Sequence, residues 1–201
     1  TDDEAAFTRW EITFQLEPQK SDLSLGELKY QLQRSLFGSL INKRLAKLKE
    51  TAIPPFTFAY SGFASLPGDY HSYRLSALGT PEKTEEALRK IMEETRRVIL
   101  HGFSEQELVV EKKSILEQYE QMVKELDKRT SSSLASGIKS AFLEDISIVD
   151  FNALPAAVAA CLEEITSAEL QVLAQKALAS EVQNIIITTN SSNIIIEYII
   201  G

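Results

Sequence analysis

A single cysteine, two histidines and two methionines are all that 201 residues supply of the soft and imidazole ligands. The lone Cys161 excludes an internal disulfide framework, and His71 and His101 form no H-x-x-E-H pair, so this chain is expected to bring no metal site of its own. Glycine and proline are also scarce, at eight and six, too few for a fibrous or low-complexity chain, and no two glycines form the G-x-G core of a phosphate loop. No apolar run approaches the ~18–20 residues that span a bilayer. Positive charge is in deficit: 21 Lys and Arg stand against 29 Asp and Glu, a net charge of −8 with the signs interspersed. Counterion-release binding needs a basic footprint, so nucleic acid is not an expected partner, and nothing marks a membrane surface. The opening Thr1-Asp2-Asp3-Glu4 carries no initiator Met, basic region or apolar leader, so the chain is expected to be a mature or excised piece.

What is present is the composition of a soluble globular chain, 44% hydrophobic and 25% charged, read as one domain over residues 1–201. Trp10, Ile12, Phe14 and Leu16 alternate with mainly polar neighbours, the period of a half-buried strand. After Pro18, with Ser21 or Ser24 as cap, Leu25, Leu28, Leu32, Leu36, Leu40 and Leu45 recur at helical steps with Ile41 and Leu48, until Pro54-Pro55 forbids continuation. Two strand-like runs, 56–64 and 70–78, flank Pro67-Gly68 and predict a hairpin. Thr80-Pro81 opens a helix with Glu82, Glu85 and Glu86 at its positive end, and its buried face runs from Ala87 to Ile99. His101-Gly102 ends it, and Ser104 with Glu107 forms a capping box for the next helix, striped by Leu108, Ile115, Leu116, Tyr119, Met122, Val123 and Leu126. Helical stretches around 133–144, 150–162 and 167–179 follow, the last opened by a Thr166/Glu169 box. The chain then returns to strands at 182–189 and 194–200 around an Asn190–Asn193 turn. The order β-α-β-β-α-α predicts an α+β fold, a mainly antiparallel sheet with helices on one face.

Little chemistry emerges from these residues alone. His101 sits at a helix end, where an imidazole suits the negative terminus, and His71 begins a strand. Cys161 lies in the apolar run 156–162 with no histidine near it in sequence, and reads as a small buried hydrophobe. Ser131, Ser132 and Ser133 lack a G-x-S-x-G elbow and read as capping residues. The charged faces of the helices near 82–97 and 105–129 read as solvated surface.

Three segments carry a resemblance. Leu36-Phe37-Gly38-Ser39-Leu40-Ile41-Asn42-Lys43-Arg44-Leu45-Ala46-Lys47-Leu48-Lys49-Glu50, the Pro54-Pro55-Phe56 after it, and His101-Gly102-Phe103-Ser104-Glu105-Gln106-Glu107-Leu108 together resemble the pitrilysin/insulinase family of zinc metallopeptidases. The last matches that family's G-hydrophobe-[ST]-x-x-E-L helix start, continued by Lys112 to Leu116, and Thr1 to Ala5 resembles the opening of a non-catalytic half. The likeness covers roughly residues 1–190. It implies one α+β half of a clam-shell enzyme that closes around an extended peptide, with zinc bound by H-x-x-E-H and a distant Glu in the other half only.

The resemblance therefore implies a non-catalytic half, inert alone, with no cofactor of its own, partnered in cis or in trans by a homologous zinc-bearing half in the periplasm or cell envelope. Non-catalytic halves of the family carry an Arg and, seven residues on, a Tyr in an R-E-x-x-G-L-A-Y stretch that touches substrate. The matching positions here are Lys49 and Phe56, which lack the bidentate fork and the hydroxyl donor, so they are implied to offer a charge and an apolar wall. Two alternatives stay open: a module that binds extended peptides by strand addition, and a structural subunit of a multi-chain processing complex.

Overall fold

The computed structural model describes residues 8–17, 24–66, 70–125, 152–178 and 183–188. Strand β1 (Thr8–Leu16) is followed by helix α1 (Leu25–Lys49), the hairpin β2 (Phe58–Leu66) and β3 (Tyr70–Gly79), and helices α2 (Thr84–His101) and α3 (Glu105–Lys124). Helices α4 (Leu154–Glu164) and α5 (Ser167–Leu178) then precede strand β4 (Gln183–Thr188). The four strands form one antiparallel sheet in the order β2-β3-β1-β4. This is the predicted α+β order. The stretch 133–144, the strand 194–200, its turn, the Pro67-Gly68 turn, Leu126 and Ser131–Ser133 lie outside the described residues.

Register explains the core. Trp10 stands opposite Ala77, Ile12 opposite Leu75 and Phe14 opposite Tyr73, so one sheet face carries a continuous apolar surface, with all six residues buried. α1 lies against β2 on that face, and α2 and α5 lie against β1 and β3. Phe37 of α1 enters the centre, 5.3 Å from the Tyr73 ring, 5.8 Å from Phe63 and 5.9 Å from Phe103. Tilted and edge-on aromatic pairs of this kind contribute about 0.5–1.5 kcal/mol each beyond the area they bury. Leu25 departs from the predicted stripe, 68% exposed, because it opens the helix before the stripe reaches the sheet.

The helix ends follow their local chemistry. Ser24 caps α1 by accepting the Glu27 N–H at 3.1 Å. Thr80 makes no side-chain cap bond; Pro81–Lys83 form a 3₁₀ turn instead, and α2 begins three residues later than Pro81. Both predicted capping boxes are formed: Ser104 with Glu107, and Thr166, which accepts the Glu169 N–H while its own N–H donates back to the Glu169 carboxylate. Between α2 and α3, Gly102 adopts φ 64°, where L side chains are strained. From α5, Gln171 donates to the carbonyls of Ile99 and Leu100, satisfying the end of α2. Cys161 is buried, as read from its apolar run.

Candidate functional site

The charged faces of α2 and α3 are not wholly solvated, contrary to the sequence reading. Glu111 is 1% and Glu94 8% exposed. Glu111 faces α1 rather than water, accepts a hydrogen bond from Ser39 at 2.5 Å and pairs with the Lys43 ammonium. A carboxylate can stay buried only where charge and hydrogen bonds replace its hydration. Lys43 is half exposed, so the outer side of this ion pair meets the surface above Glu111.

That surface is one wall of a groove of about 630 Å³ between α1 and β2. Arg34, Ser39, Asn42 and Lys43 line it from α1, and Tyr60 and Phe63 from β2; none of its lining residues is acidic. The Arg34 guanidinium lies 4.5 Å from the Phe63 ring centroid and 5.8 Å from that of Tyr30. Gly38 also lines the groove, and a Cβ there would meet nothing within 4 Å, so the missing side chain leaves open space. In an acidic chain, this concave strip presents the Arg34 guanidinium, the outer side of the Lys43–Glu111 pair and aromatic surface.

Asn42 bridges the two walls. Its Nδ2 donates to the Ser61 carbonyl at 3.0 Å, and its Oδ1 accepts from the Ser61 N–H at 2.7 Å and the Ser61 hydroxyl at 3.0 Å. Sequence reasoning missed Asn42, Arg34, Lys43 and Glu111. The available signal for Asn42 was a poor helix former set between Ile41 and Leu45 in an apolar stripe.

Arg44, one residue on, turns the other way. It forms a fork on Glu107 at 3.0 and 3.1 Å, donates to the Gly102 carbonyl at 3.2 Å, and lies 4.9 Å from the centroid of the Phe103 ring. The Arg44 bonds, with the Ser104 N–H and hydroxyl, hold the Glu107 carboxyl down to about 2. The G-hydrophobe-[ST]-x-x-E-L segment is thus a corner clamped to α1.

Lys49 and Phe56 are not brought together at one surface. Lys49 is exposed as the last residue of α1, whereas Phe56 is 2% exposed in the core, with its backbone close to Gly79 and Trp10 packed on the same glycine. The segment between them is tied down where Lys83 donates to the Pro54 carbonyl at 2.8 Å. Among the described residues no three His, Cys, Asp or Glu converge to hold a metal ion. Nor does any helix there have the length and apolarity to cross a membrane. With no H-x-x-E-H in the whole sequence either, the donor set does not fit a peptidase zinc.

No family model and no curated protein matches the sequence. The fold does have counterparts. The first half of the periplasmic protease PqqL from Escherichia coli superposes with a TM-score of 0.86 at 18% identity, over 95% of this chain and 41% of that one. A "predicted insulinase family protease" from Yersinia pestis gives 0.73 at 13% identity over 92% and 40%, and the peptidase M16 inactive domain from Pseudomonas fluorescens 0.65 at 13% over 90% and 41%. The fold is one found within M16 peptidase halves. The chain spans less than half the length of each of these structures. In this chain the Leu36–Glu50 segment belongs to the groove helix and the Gly102–Leu108 segment forms the clamped corner.

Proposed function

We propose that this chain is the non-catalytic half of a pitrilysin/insulinase-type zinc metallopeptidase, packing against a homologous zinc-bearing half and helping to enclose an extended peptide. The observation that carries this reading is the pairing of an M16 peptidase fold, shared with a domain described as inactive, with a donor set that cannot build the zinc site. The cationic, aromatic α1–β2 groove is the surface offered to acidic stretches of the peptide. Lys49 adds an exposed charge at the end of the same helix. Phe56, buried, acts as a positioning residue that fixes the chain leaving α1. The compartment proposed is the periplasm, after PqqL.

The test is reconstitution. The chain alone is expected to show no zinc-dependent hydrolysis of peptides, and addition of a zinc-bearing half is expected to produce it. In the reconstituted enzyme Lys49→Ala is expected to raise KM several-fold with little change in kcat, the signature of lost uniform binding. Hydrolysis by the chain alone would refute the reading.

A further inference from the structure

Strand β2 is the outer strand of the sheet among the described residues, pairing only with β3. Edge strands carry outward N–H and C=O groups on alternate residues, a template for any extended chain, and proteins close such edges by specific devices. Both backbone groups of Ser61 are held by the Asn42 amide, so Ser61 faces outward, as do Ala59 and Phe63 by the two-residue period. A carboxamide offers one donor and one acceptor side by side, the same pair that an added strand would present at that position. We infer that Asn42 closes the β2 edge: its side chain stands in for one residue of an added strand and denies the edge to extended peptides.

The position of the closure matters. Ser61 is the second of four outward positions in β2, after Ala59 and before Phe63 and Ser65, and its two neighbours in that row are about 13 Å apart along the strand. An incoming strand would have to displace Asn42 or break its ladder within the strand, and displacing it only exchanges bonds already made. The Ser61 hydroxyl, also bound to Asn42 Oδ1, holds the amide in the orientation that serves both backbone groups. A peptide bound beside β2 is therefore gripped by side chains of the groove. This inference rests on the β2 edge alone and stands or falls independently of the peptidase reading.

The experiment uses a β-prone peptide and the same peptide N-methylated at alternate amides, which removes strand pairing and keeps the side chains. The wild-type chain is expected to bind both equally within twofold, and Asn42→Ala to prefer the unmethylated peptide by tenfold or more. Amide hydrogen exchange gives a second reading: the Ser61 N–H is expected to exchange at least 100-fold more slowly than those of Ala59 and Phe63, and to lose that protection in Asn42→Ala. A wild-type preference of tenfold for the unmethylated peptide, or a Ser61 amide as fast as its two outward neighbours, would overturn the inference. Both of those readings are made on the wild-type chain, so they decide even if the variant fails to fold.

Discussion

Lys43 and Glu111 share one contact but stand in different surroundings. The lysine can be rehydrated if its partner is lost, since half its side chain already meets solvent, whereas the carboxylate is enclosed. Removal of the two members is therefore unequal. Lys43→Ala is expected to destabilise the chain by about 2–4 kcal/mol, because a buried anion is left without its cation. Glu111→Gln, which keeps an acceptor for Ser39, should cost about 1 kcal/mol. Urea denaturation of the two variants measures the difference, and equal losses would mean that the carboxylate draws its stability from elsewhere. At this scale the sequence was least legible. Glu111 stands in a run with Lys112 and Lys113, indistinguishable by composition from solvated residues, and only the approach of α1 makes it interior. Asn42 finds its partner on the next element, and no periodicity reports a pairing between a helix side chain and a strand backbone. Cys161 was readable because its whole neighbourhood in sequence is apolar.

Between elements, the clamp of Arg44 on Glu107 ties α1 to the corner where α2 gives way to α3. Glu107 has a folded-state pKa of about 2, below the ordinary carboxylate value near 4.5, so it contributes stability that is fully present above about pH 4.5 and is lost as pH falls toward 2. Glu107→Gln removes the capping carboxylate and the fork together, and is expected to destabilise the chain by about 1–2 kcal/mol at pH 7. That difference should shrink as pH falls below 4.5 and vanish only below pH 2, where the wild-type carboxyl becomes protonated as well. Thermal unfolding of both proteins across this range provides the check; a constant difference would remove the ion pair from the account. Elements themselves were well announced by sequence. α1 ends at Lys49, ahead of Pro54-Pro55, the two capping boxes stand where the spacing put them, and β1 shows its period of two. The departures are local: Pro81 favours a 3₁₀ turn before α2, and β2 begins two residues late because Phe56 and Thr57 follow a segment anchored by Lys83.

The described residues share one apolar core, to which β1, β3, α1, α2, α3, α4 and α5 all contribute buried residues. Since no second core exists among the described residues to melt by itself, we propose that the chain unfolds as one unit: calorimetry is expected to show a single transition with equal calorimetric and van't Hoff enthalpies. Two transitions would divide the chain and refute a single domain. The fold class was legible because element order limits the layers that can bury their apolar faces. Strand order was not, since nothing in β4 says that it will join β1, far away in sequence. That joining sets a timetable for the nascent chain. β1 is translated before every other described element, yet its two neighbours in the sheet are β3 and β4. At ribosomal rates the interval between Leu16 and Gln183 is on the order of ten to thirty seconds. During it one of the two inner strands of the described sheet has nothing on its β4 side, so the apolar residues of β1 must wait with β3 as their only strand neighbour until β4 emerges.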